Sequence, residues 1–171
     1  MTTKTQPIET TTEDLLESLK KTTKKAKTLK AQIKVVKHPH TKLPSKKTKG
    51  AAAYDVYANT NLPIWINPGE VKLVSTGLKV SIPEGYMLEL YPRSGLAIKG
   101  ITLVNCVGII DSDYRDEIMV ALINFGTTKY QINKQDRIAQ LILRQLTDWS
   151  WEQVDALDET DRPGGFGSTG V

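Results

Sequence analysis

The feature that most constrains the fold is a succession of short runs in which apolar and polar side chains alternate, from residue 32 to residue 154. Turn sequences such as Asn67-Pro68-Gly69 and Pro83-Glu84-Gly85 separate the runs. A period of two is typical of β-strands, and helical periodicity is almost absent. We therefore expect an all-β sandwich or barrel. The predicted strands are residues 32–37, 53–58, 70–76, 78–82, 86–91, 101–105, 107–110, 117–124, 129–132, 138–144 and 150–154.

Charge divides the chain into two unequal parts. Residues 1–50 hold thirteen lysines and four acidic residues, a net charge of +9, whereas residues 51–171 hold ten basic and fifteen acidic residues, a net charge of −5. Residues 1–30 are rich in Thr and Lys and have few large apolar side chains, so their burial cannot offset the entropy of ordering them. We expect a disordered or weakly helical tail. The alternative is a lysine-rich arm that makes a weak contact with nucleic acid or protein.

Several classes of protein are excluded by composition. The single cysteine, Cys106, cannot form an internal disulfide, and one cysteine with two histidines is too few for a structural zinc site. Because Cys106 lies in an apolar run, we expect a buried, inert thiol. The longest uncharged apolar stretch, residues 101–110, is far shorter than the ~18 residues of a membrane helix. No signal-peptide pattern follows Met1, which favours a soluble protein of the cytoplasm, or of the host cytoplasm if the source is viral.

The first candidate for chemistry is an apolar strand that ends in charged groups. Residues 108–110 lead directly into Asp111, and Asp113, Tyr114 and Arg115 follow. A strand end can hold a carboxylate rigidly enough to orient a water molecule as a general base. The alternative is an Asp-rich turn without chemistry.

The second candidate is a bend after the strand predicted at 86–91. Arg93 and Ser94 supply a guanidinium and a hydroxyl, and Gly95 exposes backbone amides, which together suit phosphate oxygens. A surface ion pair beside an ordinary turn is the alternative.

The third candidate is the glycine-rich segment 162–170, whose backbone amides can approach phosphates closely. Arg162, Ser168 and Thr169 add donors, and Phe166 adds a face for stacking. The segment lacks the Gly-Lys-Ser/Thr ending of a nucleotide-kinase loop. A chain end with no regular structure is the alternative.

In this order, the segments resemble the five motifs of the trimeric dUTP pyrophosphatase (dUTPase) family. The resemblance extends from about Ile33 to the end of the chain. The matching segments are residues 53–58, 92–97, 108–118, 136–142 and 162–170.

The resemblance implies a jelly-roll-like, distorted β-barrel over residues 31–160 and a glycine-rich arm over residues 161–171 that closes over an active site. It implies a homotrimer in which motifs from different chains meet at three shared sites. The implied reaction is hydrolysis of dUTP to dUMP and pyrophosphate with Mg²⁺ on the triphosphate, which limits uracil incorporation into DNA and supplies dUMP for thymidylate synthesis.

The resemblance also assigns roles to individual residues. Asp111 would be the base that orients water, Asn105 would bind the uracil edge, and Tyr114 would pack under the deoxyribose. Asp55 would support magnesium through water molecules. The remaining residues would bind substrate: Arg93, Ser94 and Gln140 the phosphates near the reacting phosphorus, Arg162, Ser168 and Thr169 the distal phosphates, and Phe166 the base. Gly95, Gly108 and Gly167 are also assigned to substrate binding. Gln140 is counted with Asp111 as catalytic.

Three positions depart from the family pattern, namely Ala53 and Asp116, where glycine is usual, and Pro163 after the arm arginine. Two other functions remain open at this point. One is the related trimeric dCTP deaminase, although Tyr114 and the Gly-Phe-Gly arm favour the hydrolase. The other is a regulatory binding protein that uses the nucleotide site as a switch.

Overall fold

The computed structural model of the chain describes residues 31–161 and residue 164. Residues 1–30 and most of the fifth motif lie outside the described residues. The described part forms strands joined by short turns, with one helical turn, and the all-β prediction is confirmed. The elements are β1 (Lys34–Lys37), β2 (Tyr54–Tyr57), β3 (Ile64–Ile66), β4 (Val71–Ser81), β5 (Tyr86–Tyr91), α1 (Ser94–Ala97), β6 (Ile101–Leu103), β7 (Gly108–Ile110), β8 (Glu117–Asn124), β9 (Tyr130–Ile132) and β10 (Arg137–Gln145).

The strands form two four-stranded sheets and one two-stranded sheet, and their pairings are antiparallel. Sheet 1 has the order β1-β4-β8-β6, sheet 2 the order β2-β10-β5-β7, and β3 pairs with β9. Apolar side chains of all three sheets meet in one core. Alternation along each strand accounts for this, since every second side chain is buried along β8 and, in β4, from Val74 to Val80.

One long strand, β4, replaces the two strands predicted at 70–76 and 78–82. Gly77 has a φ of +66°, and the pairing with β8 shifts register between Ser75 and Lys79. Side chains satisfy the backbone at this bulge: the Gly77 amide donates to Glu117 Oε1 at 2.8 Å, and the Leu78 amide donates to Thr76 Oγ1 at 3.3 Å. The strand therefore continues through the glycine, which the sequence pattern marks as a break.

The structure also contains one strand that the sequence did not predict and lacks one that it did. The short strand β3 was not predicted, because three residues between Pro63 and Asn67 are too few for a period to be visible. Residues 150–154 do not form a strand, and no neighbouring strand pairs with them. Trp149 and Trp151, at the start of this segment, are exposed, and their rings lie edge to face with centres 4.8 Å apart.

Two local predictions also need correction. The bend predicted after β5 is a helical turn, α1, in which the Ala97 amide donates to the Arg93 carbonyl at 2.9 Å. Cys106, predicted to be buried, is exposed, because it lies in the turn between β6 and β7 rather than within a strand. Among the described residues, no helix has the length and apolar character needed to cross a bilayer.

Candidate active site

A concave pocket of about 210 Å³ lies where β5, β7 and β8 meet. Its lining brings together four residues that the sequence predicted as site residues: Asn105, Gly108, Asp111 and Tyr114. Leu90, Ile109, Ile110, Ile118 and Met119 complete the wall. The pocket thus combines an amide, a carboxylate and an aromatic ring on an apolar base.

Strand pairing fixes the carboxylate of this pocket. β7 pairs with β5 through Gly108 opposite Leu90 and Ile110 opposite Leu88, and Asp111 directly follows the paired residues. The Tyr114 amide donates to the Asp111 carbonyl at 3.2 Å, which closes the turn. Asp111 is itself exposed, so its carboxylate is accessible to water.

The ring of Tyr114 is held at its far end. Its hydroxyl donates to the backbone carbonyl of Glu117 at 3.0 Å, at the start of β8. Next to it, the Arg115 guanidinium donates to the carbonyl of Ser112 at 2.7 Å and stiffens the same turn. The two bonds leave the face of the Tyr114 ring free to line the pocket.

Gly108 keeps the pocket open. It is buried, and a Cβ at this position would lie 3.2 Å from Leu90 Cβ and 3.3 Å from Asn105 Nδ2. Any side chain would therefore press against the wall and displace the Asn105 amide. Glycine at position 108 therefore has a steric basis.

A second polar cluster lies on sheet 2 around the buried carboxylate of Asp55. Asp55 Oδ1 accepts hydrogen bonds from Arg93 Nε at 3.2 Å and Gln140 Nε2 at 3.3 Å. Asp55 Oδ2 accepts one from Arg137 Nη1 at 3.0 Å. Arg93 also donates from Nη1 to the Arg137 carbonyl at 3.0 Å. We call Asp55, Arg93, Arg137 and Gln140 the phosphate cluster, because its guanidinium and amide groups suit phosphate oxygens.

Sheet register explains why these residues meet. Asp55 on β2 pairs with Gln140 on β10, and Gln140 pairs with Tyr91 at the end of β5. Arg93 follows Tyr91 by two residues and precedes α1, so its side chain reaches back over the sheet. Ser94 and Gly95 begin α1 and are exposed beside it.

The charge state of Asp55 is set by its neighbours. Burial by itself raises the pKa of a carboxyl group. Here the hydrogen bonds from Arg137 and Gln140 and the positive charges of Arg93 and Arg137 outweigh burial, so the pKa of Asp55 lies below its usual value of 3.8. Asp55 is therefore a stable anion that holds two guanidinium groups in place.

The structure brings the predicted residues together in two groups rather than one. The pocket lining does not include Asp55, Arg93, Ser94 or Gln140. Arg162, Phe166, Gly167, Ser168 and Thr169 of the fifth motif lie outside the described residues. Within the described part of one chain, the predicted residues thus form a pocket and a separate phosphate cluster.

Arg137 is the residue that sequence reasoning missed. It stands three positions before Gln140 in the fourth motif, and a register shift on β10 between Arg137 and Ala139 directs it toward Asp55. The sequence signal that could have identified Arg137 was its position in the fourth motif. Its contact with a residue 82 positions earlier depends on a β-bulge that is not visible in the sequence.

The described residues are compatible with a magnesium ion whose ligands come mainly from phosphate groups and water rather than from side chains. No group of three or more His, Cys, Asp or Glu side chains in the described part of the chain is placed to hold a metal. Asp55 uses most of its acceptor capacity on Arg93, Arg137 and Gln140, and a free lone pair remains on Oδ2. Mg²⁺ typically keeps several waters and binds substrate phosphates, so a contact through water is compatible with this arrangement.

Comparison with known sequences places the chain in one family. The sequence model of the family dUTPase matches residues 39–170. A Finegoldia magna protein named deoxyuridine 5'-triphosphate nucleotidohydrolase is 46% identical over 141 residues, 81% of this chain and 99% of the relative. A Desulfotalea psychrophila protein of the same name is 48% identical over 131 residues, 75% of this chain and 87% of the relative.

Comparison with solved structures supports the same fold. A dUTPase mutant of Staphylococcus bacteriophage 80alpha with dUpNHpp superimposes with a TM-score of 0.73 at 24% identity, over 82% of this chain and 99% of that one. A mutant dUTPase from phage phi11 of S. aureus, described with a structural Mg(II) ion, gives 0.66 at 23% identity, over 75% and 99%. From the family match and the sequence identities, this chain belongs to the dUTPase family.

Proposed function

We propose that this chain hydrolyses dUTP to dUMP and pyrophosphate. The observation that carries the proposal is the pocket in which Asn105, Asp111 and Tyr114 converge over Gly108, in a member of the dUTPase family. The relatives named as deoxyuridine 5'-triphosphate nucleotidohydrolases support the same substrate. The product dUMP would serve thymidylate synthesis, and removal of dUTP would limit uracil in DNA.

The pocket suits a uracil deoxynucleoside. The Asn105 side chain offers one donor and one acceptor group, which matches the alternating carbonyl and N–H edge of uracil. The ring of Tyr114, held through its hydroxyl at the start of β8, would lie under the deoxyribose. A ribose 2'-hydroxyl would find neither space nor a partner there, and unpaired polar groups are strongly disfavoured in tight sites.

Asp111 is the proposed base. Its exposed carboxylate, at the end of β7, would accept a hydrogen bond from a water molecule and align the oxygen of that water with the α-phosphorus. As the new P–O bond forms, the bond to the bridging oxygen breaks, pyrophosphate leaves, and Asp111 takes the proton of the water. The residue acts mainly through position, so an ordinary carboxylate suffices.

The phosphate cluster would bind the triphosphate. Arg93 and Gln140 would exchange part of their bonding to Asp55 for phosphate oxygens, and Ser94 with the backbone of Gly95 would add donors from the exposed start of α1. When bound, Mg²⁺ supplies charge neutralisation to the phosphates. Asp55 would hold its water ligands while keeping Arg93 and Arg137 oriented.

The proposed active enzyme is a homotrimer with shared sites. The outer face of sheet 1 carries exposed apolar side chains, among them Leu73 at 65% exposure with Val71 and Met119, and a second copy would cover them. Assembly would also bring the pocket of one chain to the phosphate cluster of another. In the arm, Arg162, Ser168 and Thr169 would hold the distal phosphates, while Phe166 and Gly167 would cover the base.

A nucleotide panel tests the proposed reaction. The full-length chain is incubated with dUTP, UTP, dTTP or dCTP, with and without Mg²⁺, and the products are separated by ion-exchange chromatography. We expect dUMP and pyrophosphate from dUTP, with a large loss of rate without Mg²⁺ and little turnover of the other three. Formation of dUTP or dUMP from dCTP would instead identify a deaminase.

The variant Asp111→Asn tests the proposed base. Asparagine keeps the shape of aspartate but cannot accept the proton of water, so we expect kcat to fall at least about 100-fold. The dissociation constant of a non-hydrolysable dUTP analogue should change little. Asp113→Asn, an exposed carboxylate two residues away that does not line the pocket, is the matched control. Equal activity in the two variants would disprove the assignment.

A further inference from the structure

Two lysines outside the five motifs flank a buried tyrosine beside the phosphate cluster. Tyr57, on β2, is only 4% exposed. Lys42 Nζ lies 4.8 Å and Lys47 Nζ 5.6 Å from the centre of the Tyr57 ring. Their ammonium groups are attracted to the face of the ring, and their stems help to cover it. Both side chains remain exposed.

These lysines share a face of sheet 2 with the phosphate cluster. Asp55 and Tyr57 are two residues apart on β2, so their side chains point to the same side of the sheet. The strand partner of Tyr57 is Arg137, which donates to Asp55. A continuous surface therefore runs from Arg93 through Asp55 and Arg137 to Tyr57 and the two lysines.

This surface has an excess of positive charge. Arg93 and Arg137 are paired with the single carboxylate of Asp55. Within the described part of the chain, neither Lys42 nor Lys47 has a carboxylate within ion-pair distance. Four cations and one anion on a small area of the sheet favour the binding of a ligand with several negative charges.

The loop that carries Lys47 is fixed to the cluster. Ser45 forms an antiparallel bridge with Asp55, in which the Ser45 amide donates to the Asp55 carbonyl at 3.2 Å and the Asp55 amide donates back at 3.0 Å. The Ser45 and Tyr57 hydroxyl oxygens are 2.8 Å apart. Lys47 thus lies two residues after Ser45, which is hydrogen-bonded to Asp55. Asp55 is the residue that orients Arg93 and Arg137.

The pKa of Tyr57 reflects the positive charge of the two lysines. Burial alone would raise the pKa of Tyr57, but hydrogen bonds from Ser45 and Lys47 and the charges of Lys47 and Lys42 lower it below its usual value of 10.0. The positive charge of the two lysines is therefore felt within the sheet surface.

We propose that Lys42 and Lys47 extend the phosphate cluster and bind the distal phosphates of the substrate. This inference rests on the proposed function, since it takes the ligand to be dUTP. The lysines would neutralise the β- and γ-phosphates, which carry most of the charge, while Arg93 and Gln140 bind nearer the reacting phosphorus. They would make binding depend on the number of phosphates rather than on the base.

The test compares ligands that differ in phosphate number. Binding of dUMP and of an imido analogue of dUTP is measured by calorimetric titration. Three full-length proteins are compared: the wild type, the double variant Lys42→Gln/Lys47→Gln and the conservative variant Lys47→Arg. We expect the double variant to bind the analogue about tenfold more weakly, since two charged contacts are lost, and to bind dUMP as the wild type does. The salt dependence of analogue binding should also become shallower, and Lys47→Arg should retain most of the affinity.

A matched control separates this role from a general effect of removing lysines. Lys129 Nζ lies 4.6 Å from the ring centre of Trp65, which is on β3 of the two-stranded sheet rather than on sheet 2. Lys129→Gln should leave both affinities unchanged. Unchanged analogue binding in the double variant, or an equal loss for dUMP and the analogue, would overturn the inference while the wild-type hydrolysis of dUTP still stands. A wild type that neither binds nor hydrolyses dUTP would overturn both proposals.

Discussion

At the scale of single residues, Asp55 shows how one carboxylate can organise a site without touching the pocket. Its two oxygens hold Arg93, Arg137 and Gln140, which come from the segment after β5 and from β10. An unpaired guanidinium on this sheet would be free to adopt many rotamers. Pairing with Asp55 restricts the rotamers of both arginines in advance, so binding of phosphate at the cluster, as proposed, would cost less side-chain entropy.

The depressed pKa of Asp55 predicts a specific dependence of stability on pH. Because the pKa is lower in the folded chain than in the unfolded chain, the ionised carboxylate favours folding. Its contribution is complete well above the ordinary value of 3.8 and is lost as the pH falls through the lowered pKa. Asp55→Asn should therefore reduce stability by about 2 kcal/mol at neutral pH, because the guanidinium groups lose their counter-charge.

Calorimetric melting over a range of pH measures this effect. The difference in Tm between wild type and Asp55→Asn should be constant near neutrality and shrink in acid. Asp113→Asn, at an exposed position, should melt like the wild type throughout. A difference that grows on acidification would mean that the folded state favours the protonated form of Asp55.

The residues of the pocket were predictable because their signal is local. Asn105, Gly108, Asp111 and Tyr114 lie within ten consecutive positions, and strand β7 with the turn on each side of it places them together. The role of Arg137 was not predictable in the same way, since it depends on a bulge and on a partner on β2. The exposure of Cys106 also escaped prediction, because an apolar run does not reveal where a strand ends.

At the scale of elements, β4 shows where a turn residue misleads. Gly77 interrupts an alternating pattern, and such a break predicts two strands. In the structure the same face of β4 is buried before and after the glycine, at Val74, Thr76, Leu78 and Val80. Side-chain acceptors on Thr76 and on Glu117, 40 positions away from Gly77, replace the missing ladder bonds. Most strand positions follow from local alternation, whereas bulges and the short strand β3 depend on distant partners.

Gly77→Ala is therefore predicted to be strongly destabilising. The backbone at this position is in the left-handed region, and an added Cβ would lie 2.2 Å from Thr41 Oγ1 and 2.6 Å from Asn59 Nδ2. We expect a loss of about 3 kcal/mol in the free energy of unfolding, from backbone strain and overpacking together. Urea denaturation measures it. Gly50→Ala, where a Cβ has open space and the backbone is unstrained, should be nearly neutral; an equal loss in both would point to a general effect of alanine.

At the scale of the whole molecule, the main fact is that one chain separates the pocket from the phosphate cluster. Asn105, Asp111 and Tyr114 line a cavity from which Arg93 and Gln140 are absent. If the pocket and the phosphate cluster are two halves of one active site, as proposed, a closed oligomer with identical interfaces would complete that site, since each copy would offer one half to a neighbour and receive the other. The exposed apolar face of sheet 1 gives such an assembly a surface to bury.

Complementation between two inactive variants tests this arrangement directly. Asp111→Asn removes the base from the pocket half, and Arg93→Ala removes a guanidinium from the phosphate half. If the pocket of one chain works with the phosphate cluster of another, unfolding the two variants together and refolding the mixture should restore activity, because random assortment leaves about a quarter of the sites with both groups intact. Each variant refolded alone, and the two mixed after separate refolding, should remain nearly inactive. If the site instead lies within one chain, no mixture can contain an intact site, and the refolded mixture will show only the sum of the two residual activities.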